Sequence, residues 1–328
     1  MQLVINTYGS YLQKNGDCFK VKTDDKVFEV SAKKIESILI STAAYITTDA
    51  IKLAMENNID IVFLDEYGNP YARIWHSKLG STVLIRRRQL EKSSAIEGAE
   101  LAKEWIKTKI NNQIDFLKRL AKTREDLRNN IYNMCQAIED CLLRIDNLSG
   151  QIEDIRNNIM SIEALAAKTY FECISLCLPE RYRFDGRSRD PAKDYFNAML
   201  NYSYGILYSM VEKACIIAGI DPYIGFLHSD NYNKKSMVFD LIELYRIFAE
   251  ESVVFLFTQR QIKDEYFDKV PNGFTLNKEG KAVLLENFMK FLDEPIKYKN
   301  RVVKRRHIIQ LDLHNIANSF IRDLKEEK

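Results

Sequence analysis

Apolar positions change their period once along the chain. Over about the first 75 residues they fall in short runs with the alternation of strands. Phe19 and Val21 form one such run and Val27 and Val30 the next, with Asp24-Asp25 between them as a tight hairpin turn requires. Ser37-Ile38-Leu39-Ile40-Ser41 predicts a further short strand, and Ile59 to Leu64 is the most β-like run, closed by the turn residues Gly68-Asn69-Pro70. Between them, Thr48 to Asn57 reads as one short helix with Thr48 or Asp49 as its N-cap.

Near residue 84 the period becomes helical. From Arg86 to about Asn147 there is no proline, and Gly98 alone interrupts the pattern. Leu101, Trp105, Ile110, Ile114, Leu117 and Leu120 recur at the spacing of one helix face. Helical patterning then continues, with breaks expected at Leu178-Pro179, Gly186 to Pro191, Gly219 to Gly225 and Pro271 to Gly280. The expected architecture is α+β: a small β domain over residues 1–84, then a larger all-α domain over 85–328.

Composition narrows the class. The chain has 328 residues, 46% hydrophobic and 29% charged, which suits a soluble globular protein with a sizeable core. Met1 to Asn6 lacks the basic and apolar regions of a signal peptide, and no apolar run approaches the roughly 20 residues that span a bilayer. The expected setting is cytoplasmic, with no membrane partner. Six cysteines contain no C-x-x-C pair; Cys173 and Cys177 share a helix face without a second ligand pair, and read as buried thiols in a reducing compartment. Net charge is only +2: residues 1–90 hold 12 basic and 10 acidic residues, the remainder 36 of each. A nucleic-acid surface therefore has to come from local clustering.

Candidate chemistry gathers around one histidine and three acids. His228 follows the Gly-containing turn Asp221 to Gly225, at a loop–helix junction. After the polar loop Asp230 to Lys235, Ser236 to Arg246 predicts an amphipathic helix on which Asp240 and Glu243, i and i+3, share a face among apolar neighbours. Glu163 sits in Ile162 to Phe171 among small and apolar residues. Carboxylates in such surroundings are costly to bury without something to neutralise them. One imidazole with two or three carboxylates is a hard, oxygen-rich donor set suited to Mg²⁺ or Mn²⁺. The bland alternative, a structural histidine and a solvated acid pair, stays open on spacing alone.

A resemblance adds to this reading. It runs over Arg187-Ser-Arg189-Asp190-Pro191, Asn197-Ala-Met-Leu-Asn201-Tyr-Ser-Tyr-Gly205-Ile-Leu207, Ala218 to His228 and Asp240-Leu-Ile-Glu243-Leu-Tyr-Arg246, preceded by Thr7 to Leu12, Ile35 to Ile38 and Val62 to Pro70. These segments resemble, in order and over nearly the whole chain, the CRISPR-associated endonuclease/integrase family, the first of the two core spacer-acquisition proteins. The resemblance implies an N-terminal β-sandwich-like domain, used in dimerisation and partner contact, and an all-α catalytic domain. It implies a homodimer that pairs with a small ferredoxin-like partner, and insertion of short double-stranded DNA fragments with 3′ ends into a repeat array. By position the family's metal ligands fall on Glu163, His228 and Glu243, and Asp240 falls beside the site in support. The family often follows this helix face with Arg-Pro; here Ile247 follows Arg246, which leaves the end of the helix open. The rival reading is a non-catalytic dimeric DNA-binding scaffold of the same fold.

Three basic clusters are candidates for phosphate contact. Arg86-Arg87-Arg88 reads as a charged domain junction. Arg181, Arg183, Arg187 and Arg189 lie among aromatic residues, and Lys304, Arg305 and Arg306 lie in a run from Lys297 to His307 that contains no acid; both are read as DNA-binding. Tyr182 and Tyr204 are candidates for base stacking. His76, His307 and His314 are read as structural.

Overall fold

A computed structural model describes residues 2–35, 37–57, 59–65, 68, 70–74, 83–229 and 234–321. Glu36, Glu66, Tyr67, Asn69, His76 and residues 230–233, where a polar loop is expected, lie outside the described residues. The chain divides into two compact units, Met1–Leu79 and Gly80–Lys328.

In the first unit β1 (Gln2–Ile5), β5 (Ser37–Ile40), β7 (Asp60–Leu64) and β8 (Pro70–Ile74) form one sheet in the order β1-β5-β7-β8, parallel except for β8. β2 (Ser10–Asn15), β3 (Cys18–Lys22), β4 (Val27–Ser31) and β6 (Ala44–Ile46) form the other, in the order β4-β3-β2-β6. Alternation decides which side chains enter the shared core: Leu3 and Ile5, Leu12, Phe19 and Val21, and Ile38, Ile40 and Ile61 from both sheets are buried together. This is the expected sandwich. Asp24-Asp25 sits at the centre of the turn closed by Thr23 N–H on Lys26 O at 2.8 Å. The short helix α1 (Thr48–Glu56) starts before either candidate cap: the Thr47 hydroxyl accepts from Ala50 N–H at 3.3 Å, leaving Asp49 in the first turn, where its charge favours the helix N-terminus.

The second unit is mostly helical. α2 (Val83–Ser93), α3 (Ile96–Ala121), α4 (Arg128–Asp146) and α5 (Ile152–Cys177) come first, and α3 packs on both α4 and α5. Gly98 does not interrupt a helix. It lies in the first turn of α3, where a Cβ would stand 2.3 Å from the Lys92 carbonyl, so only glycine lets α2 and α3 meet so closely. The actual break, at Ser94-Ala95, carries no proline or glycine. α6 (Tyr195–Ala218) is capped by Asp194 and ends at Gly219, whose φ of 86° is left-handed.

Two expectations are corrected here. Ser236 to Arg246 is not one helix: α7 (Ser236–Ile242) stops, Glu243 to Tyr245 turn, and α8 (Arg246–Thr258) begins. Nor is the unit all-α. β9 (Phe267–Val270) pairs with β10 (Gly273–Leu276), and after α9 (Lys278–Asp293) β11 (Pro295–Tyr298) pairs with β12 (Arg301–Lys304), before α10 (Arg305–Phe320). Each hairpin joins a pair of four-residue strands through a two-residue loop, with Asn272 or Lys299 at positive φ. Strands this short leave little periodicity to read.

Candidate active site

The loop that carries His228 is fixed from three sides. Gln89 of α2, fully buried, spends its amide on it: Nε2 donates to the Asp221 and Ile224 carbonyls at 2.9 and 2.8 Å, and Oε1 accepts from Asp221 N–H at 2.8 Å. Arg156 of α5 donates to the Leu227 carbonyl at 2.8 Å, and the Phe226 ring meets Trp105 of α3 edge-on at 5.3 Å. At Gly225 a Cβ would lie 2.5 Å from both the His228 carbonyl oxygen and the Ser236 Cβ, so the loop closes onto the start of α7 only without a side chain there.

Asp240 completes the loop. Its Oδ2 accepts the Phe226 and Leu227 N–H groups at 2.6 and 3.1 Å, and its Oδ1 accepts the His228 N–H at 2.9 Å and lies 2.7 Å from His228 Nδ1. With its side chain out of solvent, this carboxylate is saturated by the loop. An Nδ1–H donated to it leaves Nε2 of His228 as the free lone pair, the arrangement seen when a carboxylate orients a ligating histidine.

Glu163 and Glu243 meet elsewhere, on a lysine. Lys109 of α3, buried, touches Glu163 Oε1 and lies 2.6 Å from Glu243 Oε2. Arg246 Nε donates to Glu243 Oε1 at 2.7 Å, while its guanidinium lies 4.6 Å from the Tyr204 ring centre, and Tyr204 donates in turn to buried Glu250 at 2.7 Å. Burial by itself would raise the Glu243 pKa; Arg246 and Lys109 outweigh it and pull it down to about 2. Burial likewise would lower the Lys109 pKa, and Glu243 and Glu163 push it up. The contact of Lys109 with Glu243 Oε2 is an ion pair without hydrogen-bond alignment, so this buried oxygen accepts no directed bond.

Glu163 and Glu243 are thus brought together through Lys109, whereas His228 is paired with Asp240, three residues before Glu243. Asp240 and Glu243 do not share a role: one is consumed by the loop, the other faces the cations. Among the described residues no three His, Cys, Asp or Glu side chains converge as a metal cage. The donor set nevertheless fits a hard divalent ion: a partly exposed glutamate, a buried glutamate oxygen without a directed bond, and an imidazole nitrogen left over by its orienting carboxylate.

The basic clusters separate by partner. Arg183 and Arg189 are exposed, and neither guanidinium has an acid partner among the described residues. Arg181 is exposed but sits over the Tyr182 ring at 4.3 Å and 3.5 Å from Asp264. Arg187 is turned inward: it bonds Asn197 and Asn201 of α6 and lies over the Phe171 and Tyr204 rings, so it ties its own loop to the helix. The third cluster is not free of acids in space. Lys304 and Arg306 pair with Asp293 at 3.1 and 2.9 Å, and Arg305 with Glu294 at 2.6 Å, because the β11–β12 hairpin folds back on the end of α9. Arg306 is buried. Tyr182 is also core, its hydroxyl donating to the Ile262 carbonyl at 3.2 Å.

Sequence reasoning missed Lys109, Arg246 and a groove. The signal for Lys109 was a lysine within the buried stripe of α3, between Ile106 and Ile110. The groove, about 540 Å³, is lined by Asn112, one turn beyond Lys109, and Ile247, next to Arg246, with the basic Lys118, Arg119, Lys122 and Arg305 and the acidic Asp115 and Glu251. Lys118 and Arg119 pair with Glu139 and Glu251, while Lys122 is exposed with no acid partner among the described residues.

Comparison with known proteins gives a family match to CRISPR associated protein Cas1 over residues 3–290. The CRISPR-associated endonuclease Cas1 1 of Archaeoglobus fulgidus is 36% identical over 98% of this chain and 96% of its own length. In fold, the chain is similar to a casposase bound to integration product, with a TM-score of 0.85 and 21% identity over 98% of this chain and 91% of that one. It is also similar to a chain of a Cas6-RT-Cas1–Cas2 complex, with a TM-score of 0.79 and 20% identity over 98% of this chain and 35% of that one.

Proposed function

Since the chain belongs to the family of CRISPR associated protein Cas1, we propose that it is a metal-dependent DNA endonuclease and integrase that inserts short DNA fragments into a CRISPR repeat array. The observation that carries the reading is the meeting of Glu163 and Glu243, from α5 and the α7–α8 turn, on a single buried cation. Two acids far apart in sequence and neutralised by a shared positive charge form a seat for a cation, and Asp240, three residues before Glu243, orients His228.

Glu163, His228 and Glu243 would hold Mg²⁺ or Mn²⁺, which supplies polarisation of the phosphodiester and of the attacking oxygen. The remaining work falls to the chain. Asp240 keeps the His228 ring in one tautomer and orientation. Arg246 holds the Glu243 carboxylate by one oxygen, leaving the other directed at the site. The 3′-hydroxyl of the incoming fragment attacks phosphorus, forming one P–O bond as the bond to the departing 3′ oxygen of the target strand breaks; water in place of the hydroxyl gives cleavage. Exposed Arg183 and Arg189, and the groove with Lys122, supply phosphate contacts. The partners in this reading are DNA, a second copy of the chain and a small ferredoxin-like protein. The likeness to a casposase bound to integration product, and to a chain of a complex that contains Cas2, supports it. No described helix is long and apolar enough to cross a membrane.

The test is strand transfer by the purified protein with its partner, a fragment with free 3′ ends and a repeat-bearing target. Glu163→Gln, His228→Ala and Glu243→Gln should each abolish it. Full strand transfer by all three variants would refute the assignment.

A further inference from the structure

Lys109 is one of two buried lysines on α3, and the two are used differently. Lys103 donates to the Leu148 carbonyl at 2.8 Å and to Glu100 at 3.0 Å, a backbone anchor and a neighbour on its own helix. Lys109 instead touches the two glutamates proposed as ligands, one on α5 and one at the end of α7. Among the described residues no backbone carbonyl accepts from its ammonium, and its approach to Glu243 Oε2 lacks hydrogen-bond alignment. Its directed bond goes to Glu163 Oε1, while charge alone holds it against Glu243, and another cation can compete for both carboxylates.

Charge counting favours exchange over coexistence. Glu163, Glu243 and Asp240 contribute −3 and Lys109 and Arg246 +2, so the group carries −1 with a neutral His228. A divalent ion added beside Lys109 would make it +1, with two like charges pressed together in a poorly solvated site. With the lysine withdrawn the group carries −2, which a divalent ion neutralises. Arg246 stays in either case, since its directed bond to Oε1 holds Glu243 in place. A lysine suits this use because its stem is flexible and its ammonium is a compact point charge, unlike the planar fork of arginine.

We propose that Lys109 is a built-in occupant of the cation seat, holding Glu163 and Glu243 together in the metal-free enzyme and leaving when Mg²⁺ or Mn²⁺ binds. This rests on the reading of those acids as metal ligands. Lys109 is then a positioning residue: it prevents two carboxylates from facing each other without a counter-charge. Released, it lies one turn from Asn112, which lines the groove, and a DNA phosphate is the natural acceptor for its charge.

The experiment is pulse labelling of lysine amines by reductive methylation on the wild-type full chain, read by mass spectrometry with and without saturating Mn²⁺. Calorimetry on the same preparation measures Mn²⁺ binding. Lys109 labelling should rise several-fold with Mn²⁺, while Lys103 stays protected as the internal control. Mn²⁺ binding with no change at Lys109 overturns the proposal and leaves the metal site standing. Absence of Mn²⁺ binding overturns both. A second arm uses Lys109→Met, which should bind Mn²⁺ several-fold more tightly than wild type and melt lower without metal, with the melting temperature restored by Mn²⁺. Equal or weaker Mn²⁺ affinity in that variant also overturns the proposal.

Discussion

His228 Nδ1 lies 2.7 Å from Asp240 Oδ1, and the same carboxylate collects three consecutive backbone N–H groups of the histidine's own loop. One side chain therefore sets both the path of the loop and the orientation of the ring. An aspartate placed in this way can support a site without touching what binds there.

Asp240→Asn keeps the shape but replaces one acceptor oxygen by a donor facing N–H groups. The expected result is a fall in strand transfer of about 10- to 100-fold, the range for removing a carboxylate that orients a ligating histidine, with a lower melting temperature. Asp240→Ala should be worse for stability, since each buried N–H left unpaired costs roughly 1–3 kcal/mol. Urea denaturation and a strand-transfer assay measure the two effects separately.

Gly225→Ala should destabilise by about 1–3 kcal/mol through overpacking, because its Cβ meets the His228 carbonyl oxygen and Ser236 at 2.5 Å. Strand transfer should fall more than stability predicts, since the backbone that has to yield carries the ring. Activity assayed well below the melting temperature separates these contributions.

Glu243 gives the acid response. Burial raises its pKa, Arg246 and Lys109 lower it further, and the net value is about 2 against an ordinary 4.5. A depressed carboxylate contributes stability that is complete above about pH 4.5 and is lost as pH falls through about 2. Glu243→Gln should therefore flatten the part of the melting-temperature profile between about pH 4.5 and 2 while lowering the plateau near neutrality. Thermal melts across that range check it.

The basic residues divide into two groups. Arg183→Glu, Arg189→Glu and Lys122→Glu should weaken DNA binding and reduce its dependence on salt, by about 0.9 in the logarithmic slope for each duplex phosphate the variant no longer neutralises. Arg306→Ala should instead lower stability, because it removes a buried partner of Asp293, and should leave the salt slope unchanged. Fluorescence anisotropy at several salt concentrations tells these outcomes apart.

Strong periodicity made the large features legible. The alternation of Phe19 with Val21 marked β3, the short run from Val27 to Val30 marked β4, and the stripe from Trp105 to Leu120 marked α3. The C-terminal hairpins were hidden because four residues such as Pro295 to Tyr298 cannot establish a period. The break between α7 and α8 was hidden because Glu243 to Tyr245 contain neither glycine nor proline. At the site, His228 and Asp240 were visible as polar residues among apolar ones, but their contact depends on how Gly225 lets the loop close. The basic run near Arg305 looked unbalanced because its acids, Asp293 and Glu294, lie at the end of the preceding helix and meet it only after the hairpin forms.

Mn²⁺ titration by calorimetry, comparing wild type with the Glu163→Gln/His228→Ala/Glu243→Gln triple variant, tests the central claim most directly. The expected result is saturable binding in the wild type and none in a triple variant that remains folded by circular dichroism. Equal Mn²⁺ binding in both proteins would contradict the assignment of these three residues as the metal site.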